Sequence, residues 1–325
     1  MDSVNVVWEQ PTKREQPTER ERAGVRRQVM DLFQLARPAH WIKNVLVVPI
    51  ALVDLEVWSW SALERVAWSI VAFTLAAAVV YLVNDLVDRR LDRLHSGKSR
   101  RPIAAGRLSV TALVLYGAVL TGGLGLLFAF APHGSSWPIL GYLGLNLAYT
   151  AGLKHVPLIE MGAISGGFVL RVVQGYLATD VAASSWMLIA VFSGSLLLIL
   201  GKRRYELVEV GVEHRPSLRG YSLEFLNHLL LLASVLCLAA TLTYLATEAP
   251  IAPYRQEVLL ISLPFVLYTL FRYLQVVLVQ KEGGDPVRLL LRDRALIVSI
   301  GSWVCAIGAL VLVTKVNSIH AIRLP

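Results

Sequence analysis

The chain has 325 residues, 55% of them hydrophobic, a mean hydropathy of +0.58 and a formal net charge of +8. That balance excludes a disordered chain and an ordinary soluble domain, and it predicts an all-α, polytopic membrane protein with a basic aqueous face. The two cysteines, Cys237 and Cys305, fall in apolar windows and read as buried small hydrophobes with no disulfide or metal role.

Residues 1–32 are polar, mix acidic and basic side chains and hold no apolar h-region. No signal peptide is expected there, only a disordered or surface-lying cytoplasmic arm. Helices are then predicted over 42–58, 66–87, 108–131, 136–153, 157–178, 184–202, 226–247, 255–279 and 294–314. Many of these windows approach the ~20 apolar residues that cross a bilayer, where each backbone polar group must bond internally. Nothing alternates as a membrane β-barrel would. The expectation is one catalytic membrane domain over 33–315, with nine spans and a short tail at 316–325.

Orientation follows from the cationic residues. Alternate connections hold 25 of the 31 Lys and Arg residues, and the opposite ones hold only Arg65, Arg255, Lys315 and Arg323. The positive-inside rule therefore predicts a cytoplasmic N-terminus and an extracytoplasmic C-terminus in the cytoplasmic (inner) membrane.

At the end of the second predicted helix lie Asn84, Asp85, Asp88 and Asp92. If the helix continues, all four share one face. Three neighbouring carboxylates repel unless a cation sits among them, and a hard divalent ion carrying phosphates is the natural partner. Neutralisation of a solvated helix end by Arg89 and Arg93 is the bland alternative. The next loop carries Lys98 and Arg101, which suit a phosphate-rich substrate beside such a metal, although positive-inside topology alone would also place them there.

Farther on come Lys154, then Pro157 at the expected first turn of a helix, and then a stripe of Glu160, Ile164, Gly167, Arg171 and Gln174. An arginine ~16 Å down a membrane helix needs a partner or a wet cavity. Further basic elements are Lys202-Arg203-Arg204-Tyr205, Arg215 to Tyr221, and Arg37 to Lys43 ahead of the first helix. Each alone could anchor at the interface; together they converge on one side. No Walker loop, zinc-spaced Cys/His set or GxSxG elbow occurs, and no nucleic-acid partner is expected.

These residues resemble the UbiA superfamily of intramembrane prenyltransferases across about residues 33–314. The likeness rests on the NDxxDxxxD pattern from Asn84 to Asp92. Residues 37–44, 98–106 and 153–155, Gly167 to Arg171, 178–180, 185–186 and 201–203 are most similar to its decaprenyl-phosphate phosphoribosyltransferase branch. Glu160 stands where that branch carries aspartate, and no proline follows His95.

The resemblance implies a UbiA-like bundle with a cytoplasmic-facing cavity. Magnesium on Asp85, Asp88 and Asp92, with Glu160 as a further ligand and Asn84 beside them, would serve catalysis. Phosphoribosyl pyrophosphate would be the donor, a polyprenyl (decaprenyl-type) phosphate the acceptor and pyrophosphate the leaving group, with the product leading in relatives to the cell-wall arabinose donor. Lys98, Arg101, Lys202 and Arg203 would hold donor phosphates, and Arg171 or Lys43 would position the acceptor. Lys154, Tyr205 and Tyr221 complete the expected substrate-binding set. The alternatives are prenyl transfer from a polyprenyl diphosphate to an aromatic acceptor, and a non-enzymatic transporter. Acceptor length and homo-oligomerisation are left open.

Overall fold

A computed structural model describes residues 19–48, 59–94, 97–131, 136–212, 215–249 and 254–322. Among these there is no strand. The main helices are α1 (Glu19–Leu35), α2 (Trp60–Val87), α3 (Arg89–Leu94), α4 (Val110–Ala129), α5 (Trp137–Ala151) and α6 (Ile159–Ala178). They continue with α7 (Ser185–Tyr205), α8 (Leu223–Thr247), α9 (Arg255–Leu278), α10 (Pro286–Arg292) and α11 (Arg294–Ile322). Short 3-10 segments cover Pro38–Val47, Leu153–His155 and Pro216–Gly220.

Local chemistry starts these helices cleanly. Ser59, Ser109, Ser184 and Ser222 cap α2, α4, α7 and α8, each hydroxyl accepting from the amide three residues on. Between the helices, one core joins α6 to α10 through Leu197, Leu200, Leu226, Leu230, Tyr273 and Val277. A second gathers Val47, Phe73, Ala76, Val80, Ile139 and Tyr142. The outer faces expose Val114, Val119, Leu231, Leu232 and Phe271 instead. Apolar side chains facing outward, with charged ones such as Glu160 and Arg171 enclosed in the interior, is the arrangement of an integral membrane bundle.

Among the described residues, five helices are long and apolar enough by length and composition to cross a membrane, or six when α10 and the first part of α11, bent by 75°, count as one span, against the nine expected. Several other expectations are corrected. The predicted 136–153 helix becomes a 15-residue α5. The predicted 42–58 helix begins as 3-10 turns within Pro38–Val47, and its remainder, 49–58, lies outside the described residues. Within the expected N-terminal arm, α1 is helical, and Leu35 at its end is buried against α2 and α4. Helix α6 starts at Ile159, two residues after Pro157, because Leu158 takes a left-handed φ of 64°. Cys305 is exposed on α11, not buried. The α11 backbone runs to Ile322, past the predicted end at 314.

Candidate active site

The acidic motif straddles the end of α2. Asp88 caps α2 with right-handed helical dihedrals (φ −84°, ψ 0°); its amide bonds to Asn84 O at 2.9 Å and its carbonyl accepts from Asp92 N at 2.9 Å, so the ladder carries into α3. The expected single face divides in two. Asp85 and Asp92, seven residues apart, lie almost in register on a 3.6-residue helix, while Asn84 and Asp88 form an adjacent stripe. Asp85 Oδ1 and Asp92 Oδ2 both meet Arg101 Nη1, at 3.0 and 2.7 Å. Arg37 Nη2 adds a 2.5 Å bond to Asp85, and Lys98 stands 3.9 Å from Asp92. Asp88 pairs instead with Lys154 Nζ at 2.5 Å.

Asn84 and Asp88 border a cavity of about 300 Å³ whose walls carry eight cationic side chains: Arg37, Lys43, Lys98, Arg101, Lys154, Arg171, Lys202 and Arg215. Six of the eight come from segments far apart in the chain from the acidic helix; Lys98 and Arg101 lie in the loop that follows it. A second, larger space of about 620 Å³ shares Arg37, Lys43, Arg101, Lys202 and Arg215, and continues along Leu46, Phe168, Leu198 and Leu290. The first space is polar and the second amphipathic, and the shared cations stand where they meet. Burial pushes the Lys98 ammonium below the ordinary lysine range; Asp92 resists that shift, and the charges of Arg101 and Arg215 add to it.

Arg171 sits deep and buried. Its Nε donates to Asn44 Oδ1 at 3.0 Å and its Nη1 to Gly167 O at 2.8 Å, while Tyr142 offers its ring face at 4.6 Å. Asn44 in turn donates to Thr74 Oγ1 at 2.9 Å, which ties the Pro38–Val47 segment to α2. On the predicted α6 stripe Glu160, Gly167, Arg171 and Gln174 are buried, while Ile164 is half-buried and lines the polar cavity with Gly167 and Arg171.

Glu160, Tyr205 and Tyr221 are among the expected site residues that border neither of these two spaces. Glu160 is fully buried among Arg203, Arg215 and Ser217. Tyr221 Oη accepts the Leu158 amide at 2.6 Å, holding the positive-φ residue that starts α6. Tyr205 faces Gly284, where a Cβ would come within 2.8 Å of its ring. Arg203 borders the larger space while pairing with Glu160 and Glu206. Conversely, Arg37 and Arg215, expected only as members of converging basic elements, and Tyr149 near the end of α5 also enter the walls, though none was in the expected substrate-binding set. Nothing in the sequence ranks them above their neighbours.

A magnesium ion implied by the family likeness can be tested against these side chains. Among the described residues, no three His, Cys, Asp or Glu side chains converge on one point. Two carboxylates do converge on a single cationic nitrogen, that of Arg101. Magnesium is commonly held by one or two carboxylates with phosphate oxygens and water supplying the rest, so the donor set fits.

Residues 46–293 match the model of the UbiA prenyltransferase family. This chain belongs to that family. UbiA membership makes it an integral membrane transferase, in accord with its apolar helices. Among curated UbiA relatives, the decaprenyl-phosphate phosphoribosyltransferase of Mycobacterium tuberculosis is 33% identical over 298 residues, covering 87% of this chain and 95% of that protein. The Corynebacterium glutamicum protein of the same name is 32% identical over 291 residues, 85% of each. A UbiA homologue from Archaeoglobus fulgidus, solved with GPP and Mg2+, superposes with a TM-score of 0.63 at 17% identity, covering 89% of this chain and 99% of that one. This last likeness concerns the fold.

Proposed function

We propose that the protein transfers the 5-phosphoribosyl group of phosphoribosyl pyrophosphate to a polyprenyl phosphate and releases pyrophosphate. The observation that carries this reading is the density of cations around the polar cavity. Eight guanidinium or ammonium groups border about 300 Å³ that also holds Asp88 and Glu206. A prenyl diphosphate brings one polyanionic group, whereas the sugar donor brings a diphosphate and a separate 5-phosphate, which calls for cations on more than one wall. The curated relatives from M. tuberculosis and C. glutamicum, named decaprenyl-phosphate phosphoribosyltransferases, support the same donor and acceptor pair.

The donor enters the polar space from the cytoplasmic side, where the cationic connections lie. Lys98, Arg101, Lys154 and Lys202 hold its phosphates. Asp85, Asp88 and Asp92 would hold magnesium, which supplies electrostatic neutralisation of the departing pyrophosphate. The acceptor tail lies in the amphipathic space along Phe168, Leu198 and Leu290, with its phosphate drawn to Lys43 at the junction. A lipid phosphate oxygen then forms a bond to the anomeric carbon while the bond from that carbon to the pyrophosphate oxygen breaks. The acceptor is already anionic, so no general base is needed. Arg171 is held internally and shapes the floor of the polar space beneath both substrates.

The test is a lipid-extraction assay on purified protein with labelled phosphoribosyl pyrophosphate, magnesium and a polyprenyl phosphate. Magnesium-dependent movement of label into the organic phase is the expected result. Absence of label there, with a polyprenyl diphosphate and an aromatic acceptor reacting instead, would assign the protein to prenyl transfer.

A further inference from the structure

Glu160 and Arg203 are the most enclosed charged pair in the site, at 0% and 2% side-chain exposure. Oε1 of Glu160 lies 2.9 Å from Arg203 Nε and accepts the Ser217 hydroxyl at 3.1 Å, and Oε2 accepts from Arg215 Nη2. Both oxygens are therefore engaged by protein groups. Arg215 is steadied twice more, by Tyr149 Oη at 2.6 Å and by Ser217 Oγ at 3.0 Å. Arg203 extends the chain of charges to Glu206, which borders the polar cavity. Glu160 itself borders neither space, whereas Arg215 borders both. Asp85 is also held by two arginines, but both of those are part-exposed, at 21% and 28%. For Glu160 to ligate a metal, the 2%-exposed Arg203 would lose its Glu160 partner where water cannot replace it, and uncompensated buried charge is strongly unfavourable.

We propose that Glu160 is a positioning residue and not a metal ligand: it fixes the Arg215 guanidinium at the junction of the two cavities, where Arg215 holds a diphosphate oxygen of the donor. This rests on the reading that the polar cavity takes a diphosphate-bearing donor. The two carboxylates Glu160 and Glu206 offset Arg203 and Arg215, and Lys202 leaves the cluster with a net positive charge suited to an anion. An aspartate at this position, one methylene shorter, is the conservative test of the reach to both arginines.

The experiment measures binding of inorganic pyrophosphate, in EDTA, to the detergent-purified full chain by titration calorimetry. The proteins are the wild type, Glu160→Gln, Arg215→Met and the double variant. Each single change is expected to weaken binding about tenfold, and the double change about tenfold as well, because both act through one guanidinium. Wild-type affinity in Glu160→Gln, losses that multiply to about 100-fold, or a wild type that does not bind pyrophosphate would overturn the inference. Glu160→Asp keeps the buried charge and guards against misfolding of the amide variant. It is expected to bind at least about fivefold more weakly, and wild-type affinity there would also overturn the idea. Coupled losses in a protein that transfers no phosphoribosyl group would uphold the role of Glu160 and remove the donor assignment.

Discussion

At the scale of single residues, charge pairing decides what each acidic side chain does. Asp85 faces Arg37 and Arg101, while Asp88 faces Lys154. Asn at either position keeps the shape and removes the charge that gathers the site's cations and would hold a metal. Turnover of Asp85→Asn and Asp88→Asn in the lipid-extraction assay should fall at least about 10³-fold, with the protein still monodisperse in detergent. Normal activity in both would end the metal role. His40 offers a pH test. Burial, followed by the charges of Lys43 and Arg37, brings its pKa from 6.5 down to about 4, and its Nδ1 has no hydrogen-bond partner. Between those values the unfolded chain takes up a proton that the folded protein refuses. Stability should therefore fall as pH drops from about 6.5 toward 4, by about 1 kcal/mol with the ring's partial exposure to solvent taken into account. His40→Asn should narrow the gap between thermal midpoints measured at about pH 7.5 and pH 5.

At the scale of elements, close approach of backbones sets where the cationic walls stand. Gly201 on α7 faces Tyr273 on α9, and a Cβ there would collide with the tyrosine hydroxyl, which itself donates to Leu197 O at 3.2 Å. Gly201→Ala should cost about 1–3 kcal/mol, seen as a lower melting midpoint in detergent, and Tyr273→Phe in the same chain should recover part of it. Lys202 and Arg203 follow Gly201 directly, so this contact also sets their depth. Most helices were legible in the sequence, since apolar runs between serine caps and charged turns mark them out. The 3-10 course of Pro38–Val47 was not, because its turns are held by tertiary contacts such as Asn44 to Thr74 and to Arg171. Nor was the division of the acidic motif into two stripes. A pattern of fours predicts one face, but it does not tell which carboxylate meets which arginine across the bundle.

At the scale of the whole molecule, the net charge of +8 is concentrated, and eight of the chain's 31 Lys and Arg residues border one cavity. Such a funnel attracts a polyanion through a field that salt screens. Raising NaCl from about 50 to 500 mM should raise the donor KM several-fold while kcat changes less than about twofold. An unchanged KM would mean that the cations serve topology alone.

By itself, the sequence determined that the chain is helical, apolar outward and charged toward one side, and that an acidic motif lies beside basic loops. These properties are local or additive: a backbone in hydrocarbon must close its own hydrogen bonds, and Lys and Arg counts sum along connections. Only the tertiary structure decided which charges meet. Arg37 and Asp85 are 48 residues apart, and Glu160 and Arg215 are 55 apart. Their pairing depends on how the connections that carry Arg37 and Arg215 lie against α2, α5 and α6, through contacts such as Asn44 to Thr74 and to Arg171, and Arg215 to Tyr149. That is why Glu160, which the family resemblance implied as a metal ligand, stands in the folded protein behind Arg215, which faces the cavity.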